Sequence, residues 1–140
     1  MAVQNSSVVK IEFDNSSGVL QDMTQYVTDS DPMVREGSVE ETTPFGASAE
    51  TYASDGVEKN SQMQLKGPYD DTAATGPHVI FNDVLCKNTA GGTRTLKYTY
   101  GNGKTTSVET IILSYSRDPK VKKLTGYAVK LQKTGNVTEV

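Results

Sequence analysis

Alternation of apolar and polar residues along the second half of the chain limits the fold more than any other feature. Residues 96–100 alternate, and the Gly-Asn-Gly triplet at 101–103 separates them from a β-branched stretch at 108–115. Asn and Gly accept the positive φ angles of tight hairpins, so two strands are predicted to meet at this turn. A further alternating run over 121–131 predicts a third strand. Consecutive strands joined by short turns favour an antiparallel sheet.

The first half of the chain adds shorter strands and one helix. Residues 9–13 alternate before a dense turn signal at 14–18, which predicts an opening hairpin, and residues 62–67 alternate in the same way. Pro77 stands near a first helical position, and the apolar pairs that follow it at i,i+4 spacing predict a helix over 77–87. We therefore predict a mainly β (α+β) fold: an antiparallel β-sandwich or barrel with one flanking α-helix and a long projecting loop.

The strand predicted at 108–115 carries three large apolar residues two positions apart. Because side chains alternate between the faces of a strand, these residues are predicted to share one face. They are Ile111, Leu113 and Tyr115.

Residues 28–60 show poor periodicity, and they form the candidate projecting loop. They are either a long hairpin that projects from the body or a mobile loop that orders on contact, and both alternatives imply an interaction role. The polar end of the chain, 132–140, is a candidate C-terminal arm. The 140 residues fit one domain of ordinary size, so we interpret 1–140 as a single domain.

Charge is divided between the two halves of the chain. Residues 1–83 carry 14 acidic and 4 basic residues, whereas residues 84–140 carry 3 acidic and 10 basic residues. Three interpretations remain open. The halves neutralise one another within one domain, or the acidic face of one copy meets the basic face of the next, or the basic half binds nucleic acid. The pI of about 5.1 weakens the third interpretation.

The residues that most often act in catalysis and metal binding are scarce. The chain has one histidine, His78, and one cysteine, Cys86, so a Ser-His-Asp or Cys-His arrangement would have a single base available. His78 falls in the first turn of the predicted helix, and Cys86 is interpreted as a small buried apolar residue. We expect no enzyme activity, no cofactor and no metal. The N-terminus lacks the pattern of a signal peptide, and no apolar stretch approaches the length of a membrane span.

Several stretches of the chain resemble the major tail tube proteins of long, non-contractile-tailed bacteriophages. Residues 8–27 are similar to the opening hairpin of such proteins, and residues 33–46 to the start of their long projecting loop. Residues 63–85 are similar to their strand–turn–helix segment, with YDDTAATGP as the most specific piece. The three terminal strands fit the rest of their sheet.

The resemblance implies a virion structural protein that assembles into stacked hexameric rings. These rings form the tail tube through which genomic DNA passes. It implies homo-oligomers, other tail proteins as partners, double-stranded DNA in transit without specific binding, no membrane contact, and location in the virion tail after assembly in the host cytoplasm. A conduit of this kind is expected to turn acidic side chains toward its lumen, since a basic lining would hold DNA.

The resemblance and the charge division together give candidate interface residues. The inter-ring loop interface is predicted at Val34, Glu36, Glu40, Glu41, Phe45, Glu50 and Tyr52. The complementary basic face is predicted at Arg117, Lys120, Lys122 and Lys123, turned toward neighbouring copies or outside solvent. Two alternatives remain: another virion structural role, as a neck, tail terminator or capsid-decorating protein, and a glycan-binding module of a tail fibre. The absence of tryptophan weakens the last.

Overall fold

A computed structural model describes residues 9–72, 76–89, 91–101, 103–119 and 124–140. Seven strands form one sheet in the order β2-β1-β7-β8-β9-β6-β3, in which every neighbouring pair is antiparallel, and β4 and β5 form a separate two-stranded sheet. The strands are β1 (Lys10–Asp14), β2 (Leu20–Asp22), β3 (Asp29–Ser30), β4 (Glu36–Glu41), β5 (Tyr52–Lys59), β6 (Gln62–Pro68), β7 (Arg94–Thr99), β8 (Thr105–Asp118) and β9 (Gly126–Glu139). The helix α1 covers Pro77–Phe81, and short 3-10 turns cover Thr24–Tyr26 and Val84–Cys86.

The core lies on the concave side of the seven-stranded sheet, beneath α1. The ring of Phe81 on α1 lies 4.9 Å from that of Phe13 on β1 and 5.6 Å from that of Tyr127 on β9. Because β1 and β9 are separated by two strands, one side chain reaches both only if the sheet curls around it. The prediction of a mainly β, antiparallel fold with one flanking helix is confirmed for the described residues.

Gly67 on β6 allows the 3-10 turn after β2 to close over the core. A Cβ atom built at Gly67 would lie 1.8 Å from the backbone oxygen of Tyr26, so only glycine fits there without a backbone shift. The same oxygen accepts a hydrogen bond of 2.7 Å from the hydroxyl of Tyr127. The sheet, the 3-10 turn and a core tyrosine therefore contact one another at the backbone oxygen of Tyr26.

The helix is shorter than the predicted 77–87. It ends at Phe81, and the next turn places Leu85 and Cys86 at φ angles of +66° and +52°. The backbone oxygen of Ile80, which a longer α-helix would offer to the amide of Val84, instead accepts a hydrogen bond from the guanidinium of Arg94. A distant strand residue thus competes for the helix carbonyl, which local periodicity does not reveal.

Two predictions about the last strands are corrected. In β8 the buried residues between 107 and 113 are Val108, Thr110 and Ile112, whereas Ile111 and Leu113 are only half-buried. A register shift between Ile112 and Ser114 interrupts the alternation, and Tyr115 packs against the core cluster, as Ile111 also does. Of residues 132–140, predicted as a C-terminal arm, residues 132–139 form the second half of β9. They remain in the strand because Val137 is buried and residues at the end of β9 pair with the start of β8.

Candidate assembly surfaces

The hairpin formed by β4 and β5 stands apart from the main sheet, which is the first of the two alternatives predicted for residues 28–60. The predicted loop starts too early, however, because Asp29 and Ser30 form β3, which pairs with β6 in the main sheet. Among the described residues β4 and β5 pair only with each other. All residues of β4 and β5 are exposed except Ser38 and Glu58, which are half-buried. Residues 36–58 carry six carboxylates and no Lys or Arg. The hairpin is therefore an exposed, acidic projection.

The tip of the hairpin is a tight turn that displays one aromatic ring. The amide of Ala47 donates to the oxygen of Pro44 at 3.3 Å, and Gly46 has a φ of +80°. This is the geometry of a type II turn, whose third position favours glycine. Phe45 occupies the second position, and its exposure is 108% of the reference value. No other exposed large apolar residue of the described chain is as accessible.

The hairpin leaves the body at the end of the sheet where β9 ends. Only Asn60 and Ser61 separate β5 from β6, and β6 starts opposite Gln132 of β9. Residues 54–58 of the hairpin then face residues 136–139 across a cleft of about 790 Å³. The hairpin thus continues the course of β6, separated from the last residues of β9 by this cleft.

Polar contacts fix the root of the hairpin to β9. The ammonium of Lys133, whose residue is 2% exposed, donates to the backbone oxygen of Val34 at 2.7 Å. The side-chain amide of Asn60 donates to the oxygen of Gly135 at 2.8 Å. These contacts set the direction in which the hairpin projects.

A second set of contacts at the root is ionic. Arg35 lies 3.3 Å from carboxylate oxygens of both Glu58 and Glu139. Hydrogen bonding to Glu58, followed by the attraction of both carboxylates, raises the pKa of Arg35 further above its usual value. The cation is thereby occupied within the chain. Lys59, the last residue of β5, lies opposite Glu36 and attracts Asp55, so only the carboxylates nearer the tip of the hairpin stay uncompensated.

The opposite end of the sheet carries Arg117. Asp118 of β8 pairs with Gly126 of β9, whereas Thr106 pairs with Glu139 at the hairpin end. The 14 residues of β9 span roughly 40 Å at the usual rise of about 3.3 Å per residue. Arg117 and the hairpin therefore lie at opposite ends of the sheet.

A group of rings surrounds Arg117. Its guanidinium carbon lies 5.5 Å from the centre of the Tyr69 ring. The His78 ring is 5.4 Å from that of Tyr69 and 5.7 Å from that of Tyr115, whose hydroxyl lies 3.3 Å from Nδ1 of His78. Burial raises the pKa of Tyr115, the nearby Tyr69 adds to the rise, and Arg117 opposes it. This end is aromatic as well as cationic.

The two long strands, β8 and β9, each lack a neighbouring strand on one side over about half of their length. β7 pairs with β8 only as far as Thr110, and β6 pairs with β9 only between Gly126 and Gln132. Within the described part of the chain, residues 111–118 of β8 therefore pair only with β9, and residues 133–139 of β9 pair only with β8. The two unpaired edges face opposite sides of the sheet. Each edge is partly engaged within the chain, because the amide of Ile112 donates to Cys86 and the oxygen of Gly135 accepts from Asn60. The backbone groups that are not engaged in this way can pair with another chain.

The structure places the predicted interface residues at the two ends. The seven loop residues are all exposed, namely Val34, Glu36, Glu40, Glu41, Phe45, Glu50 and Tyr52. Arg117 of the basic face is exposed, and Lys120, Lys122 and Lys123 lie outside the described residues. Whether these residues form an interface stays a prediction.

Sequence reasoning missed a buried ion pair. Arg94 and Asp83 approach to 2.8 Å, with side-chain exposures of 1% and 7%. Burial alone would raise the pKa of Asp83, but bonds from the Thr89 hydroxyl and the Asn88 amide, together with Arg94, lower it. Arg94 stands in the basic half of the sequence, yet it does not contribute to a basic surface. One sequence pattern does indicate that Arg94 is buried: it stands two residues before Leu96, which lies in the core on the same face of β7.

The described residues hold neither a cluster of metal ligands nor a membrane-spanning helix. They contain no group of three or more His, Cys, Asp or Glu side chains able to hold a metal ion. Cys86 is buried, and its sulfur accepts a hydrogen bond of 3.4 Å from the amide of Ile112. No helix in the described ranges is long and apolar enough to cross a membrane.

Solved structures of tail-like particles resemble the chain over nearly its whole length. It superposes with a TM-score of 0.71 and 8% identity on a chain from the sheath/tube terminator of a PVC extracellular contractile injection system, covering 100% of this chain and 98% of that chain. A chain from the six-fold symmetric tail of an empty gene transfer agent (GTA) particle gives a TM-score of 0.70, 14% identity and 99% coverage of both chains. One from the anti-feeding prophage baseplate gives 0.70 and 12% identity, covering 100% and 97%.

These likenesses establish a tail-tube-like fold. No protein-family model and no curated protein matches the chain. The fold is shared with contractile injection systems, so it does not single out the long, non-contractile-tailed phages. The neighbours belong to particle tails and injection systems, not to enzymes.

Proposed function

We propose that the chain is a structural subunit of a phage-like tail, whose copies form hexameric rings that stack into a tube for genomic DNA. The observation that carries this proposal is the position of two unlike surfaces, the acidic hairpin and the Arg117 end, at opposite ends of the sheet. Surfaces of this kind join head to tail, and such a contact repeats along an axis unless another protein caps it. The six-fold symmetry of a similar GTA tail supports the ring.

Side-by-side contacts would use the unpaired strand edges. Residues 111–118 of β8 in one copy would pair with residues 133–139 of β9 in the next. The two edges are staggered along the strands, which suits a closed barrel, because closure requires tilted strands and a fixed stagger. A ring built in this way would pair both of these open stretches, while β2 and β3 would still end the sheet of each copy.

Contacts between rings would use the hairpin of one copy and the basic face of another. The seven loop residues supply the acidic and apolar side, and Arg117, Lys120, Lys122 and Lys123 supply the basic side. Complementary charges would steer the encounter and fix the register of stacked rings. The subunit itself needs no catalytic group, cofactor or metal for this role.

The tube would let double-stranded DNA pass without specific binding, with acidic side chains turned toward the lumen. We place the protein in the virion tail, with other tail proteins as partners and assembly in the host cytoplasm. Long, non-contractile-tailed phages remain our first choice of source, on the resemblance of the sequence. Neutralising the lumen acids should slow DNA passage, and unchanged infectivity would count against an acidic lining.

Electron microscopy of the purified protein tests the assembly. Negatively stained samples at several protein and salt concentrations should show rings and tubes, with fewer stacked rings at high salt because ionic contacts are screened. Monomers under all conditions would overturn the proposal.

A tail terminator is the second candidate, since a similar solved structure belongs to a sheath/tube terminator. In that role the assembly would stop at a single ring. The same micrographs separate the two roles, because a tube subunit continues to stack as its concentration rises.

A further inference from the structure

We propose that the Arg117 end of the sheet receives the hairpin tip of a second copy, and that Tyr69, His78, Tyr115 and Arg117 form the receiving surface. We name these four residues the aromatic end. The inference rests on the proposed function, because it assumes head-to-tail stacking. Beyond that function, it specifies the side chains that contact the hairpin and the part of the hairpin that they contact.

The aromatic end is a rigid platform. The Tyr115 ring lies 6.1 Å from that of Tyr127, which in turn lies 5.6 Å from Phe81 in the core. The half-buried rings of Tyr69 and His78 extend this series to the surface. A surface held in place by core packing loses little conformational freedom when a partner binds.

Arg117 is held in a position that suits carboxylates. Its guanidinium lies over the face of the Tyr69 ring, and this contact does not consume its N–H donors. The residue is exposed, and its fixed, planar group matches the two oxygens of a carboxylate. Lysine would keep the charge but lose this geometry.

The hairpin tip offers the complementary groups. Phe45 is completely exposed at the apex of its turn, and Tyr52 and Val39 are 55% and 62% exposed on one face of the hairpin. Glu41 lies opposite Tyr52 on that same face, because directly paired residues of an antiparallel ladder share a face. The tip thus combines an aromatic ring, apolar side chains and a carboxylate.

The occupant must come from a second copy. The hairpin leaves the sheet at the end of β9, and Arg117 lies at the far end, roughly 40 Å away along the strands. The carboxylate of Asp70, which follows Tyr69 in the chain, is engaged by the amide and hydroxyl of Thr72 at 2.8 and 2.5 Å. The binding face and its ligand therefore lie at opposite ends of each copy.

Two variants test the contact. Arg117→Glu reverses the charge of the receiving surface, and Phe45→Ser removes the aromatic ring of the tip. Each alone should raise the protein concentration for half-maximal stacking by about tenfold or more, because central aromatic and arginine contacts carry most of an interface's free energy. Lys87→Glu, an exposed position outside the aromatic end, makes the same charge change as Arg117→Glu and should stack normally. Circular dichroism should show that all variants are folded.

Mixing the two variants gives the sharper result. An Arg117→Glu ring keeps a normal tip, and a Phe45→Ser ring keeps a normal receiving surface, so one contact can still form between them. The mixture should stop at pairs of rings, which negative-stain images count directly. Long tubes from either variant alone would overturn the inference, and so would a folded mixture that yields only single rings.

The experiment separates this inference from the proposed function. If the unaltered protein forms tubes and the variants stack equally well, stacking stands and the receiving surface is wrong. If the unaltered protein never stacks, both the proposed function and this inference fail.

Discussion

The seven-stranded body and the β4–β5 hairpin use strands in opposite ways. In the body, Phe13, Leu65, Leu96, Ile112 and Leu131 are completely buried beneath α1 and the turn after β2. In the hairpin, no strand residue is buried at all. The body is held by its own core, whereas the hairpin relies on its ladder, its turn and the contacts at its root.

This difference separates stability from assembly. A two-stranded hairpin is marginally stable by itself in water, so its exposed valine, tyrosine and phenylalanine contribute little to folding of the single chain. Variants in the body should therefore change the free energy of unfolding, and variants in the hairpin should change the association of copies.

The largest effect is expected where α1 meets the sheet. Phe81→Ala should lower the free energy of unfolding by about 4 kcal/mol, because it leaves a cavity between β1 and β9. Urea denaturation followed by circular dichroism measures the change. Val79→Ala on the same helix is the control, since Val79 is 49% exposed and should cost under about 0.5 kcal/mol. Equal losses would show that the helix does not cover the core.

A somewhat smaller effect is expected at the buried ion pair. Asp83→Asn should cost about 3 kcal/mol at pH 7, since it leaves the buried Arg94 without its counter-charge. The pKa of Asp83 is lowered on folding, so its contribution is complete above the unfolded pKa of about 3.9 and is lost as pH falls through the folded value. The stability difference between wild type and variant should therefore shrink below about pH 4.

Denaturation curves at several pH values measure that difference. Asp71→Asn, at an exposed position, is the matched control and should leave stability nearly unchanged. A difference between wild type and Asp83→Asn that stays constant down to pH 2 would contradict the assignment.

Strand positions could be predicted from the sequence because they depend on local alternation. β1, β6 and β7 fall where apolar and polar residues alternate, β8 covers the β-branched stretch at 108–115, and Gly103 closes the predicted turn at a φ of +83°. The end of the helix could not be predicted, because it depends on Arg94 reaching the Ile80 carbonyl from another strand.

The charged surface was predicted only in part for the same reason. The acidic hairpin is local in sequence, and it is exposed as expected. The basic half of the chain includes Arg94 and Lys133, which are buried against Asp83 and the Val34 carbonyl. Which cations remain on the surface depends on partners that lie far away in the sequence.

The smallest effect on stability is expected in the hairpin. Val39→Thr should change the free energy of unfolding by less than about 0.5 kcal/mol, because the side chain is exposed and threonine keeps the β-branch. The same variant should weaken stacking if this face contacts a second copy. A large loss of stability in the single chain would show that the hairpin packs on its own body.

Amide hydrogen exchange of free and assembled protein shows whether the hairpin joins one copy to the next. Residues 36–58 should exchange quickly in single chains while β7, β8 and β9 are protected, and the hairpin and the aromatic end should gain protection together in tubes. Exchange of the hairpin that stays equally fast in single chains and in tubes would contradict the claim that it joins one copy to the next.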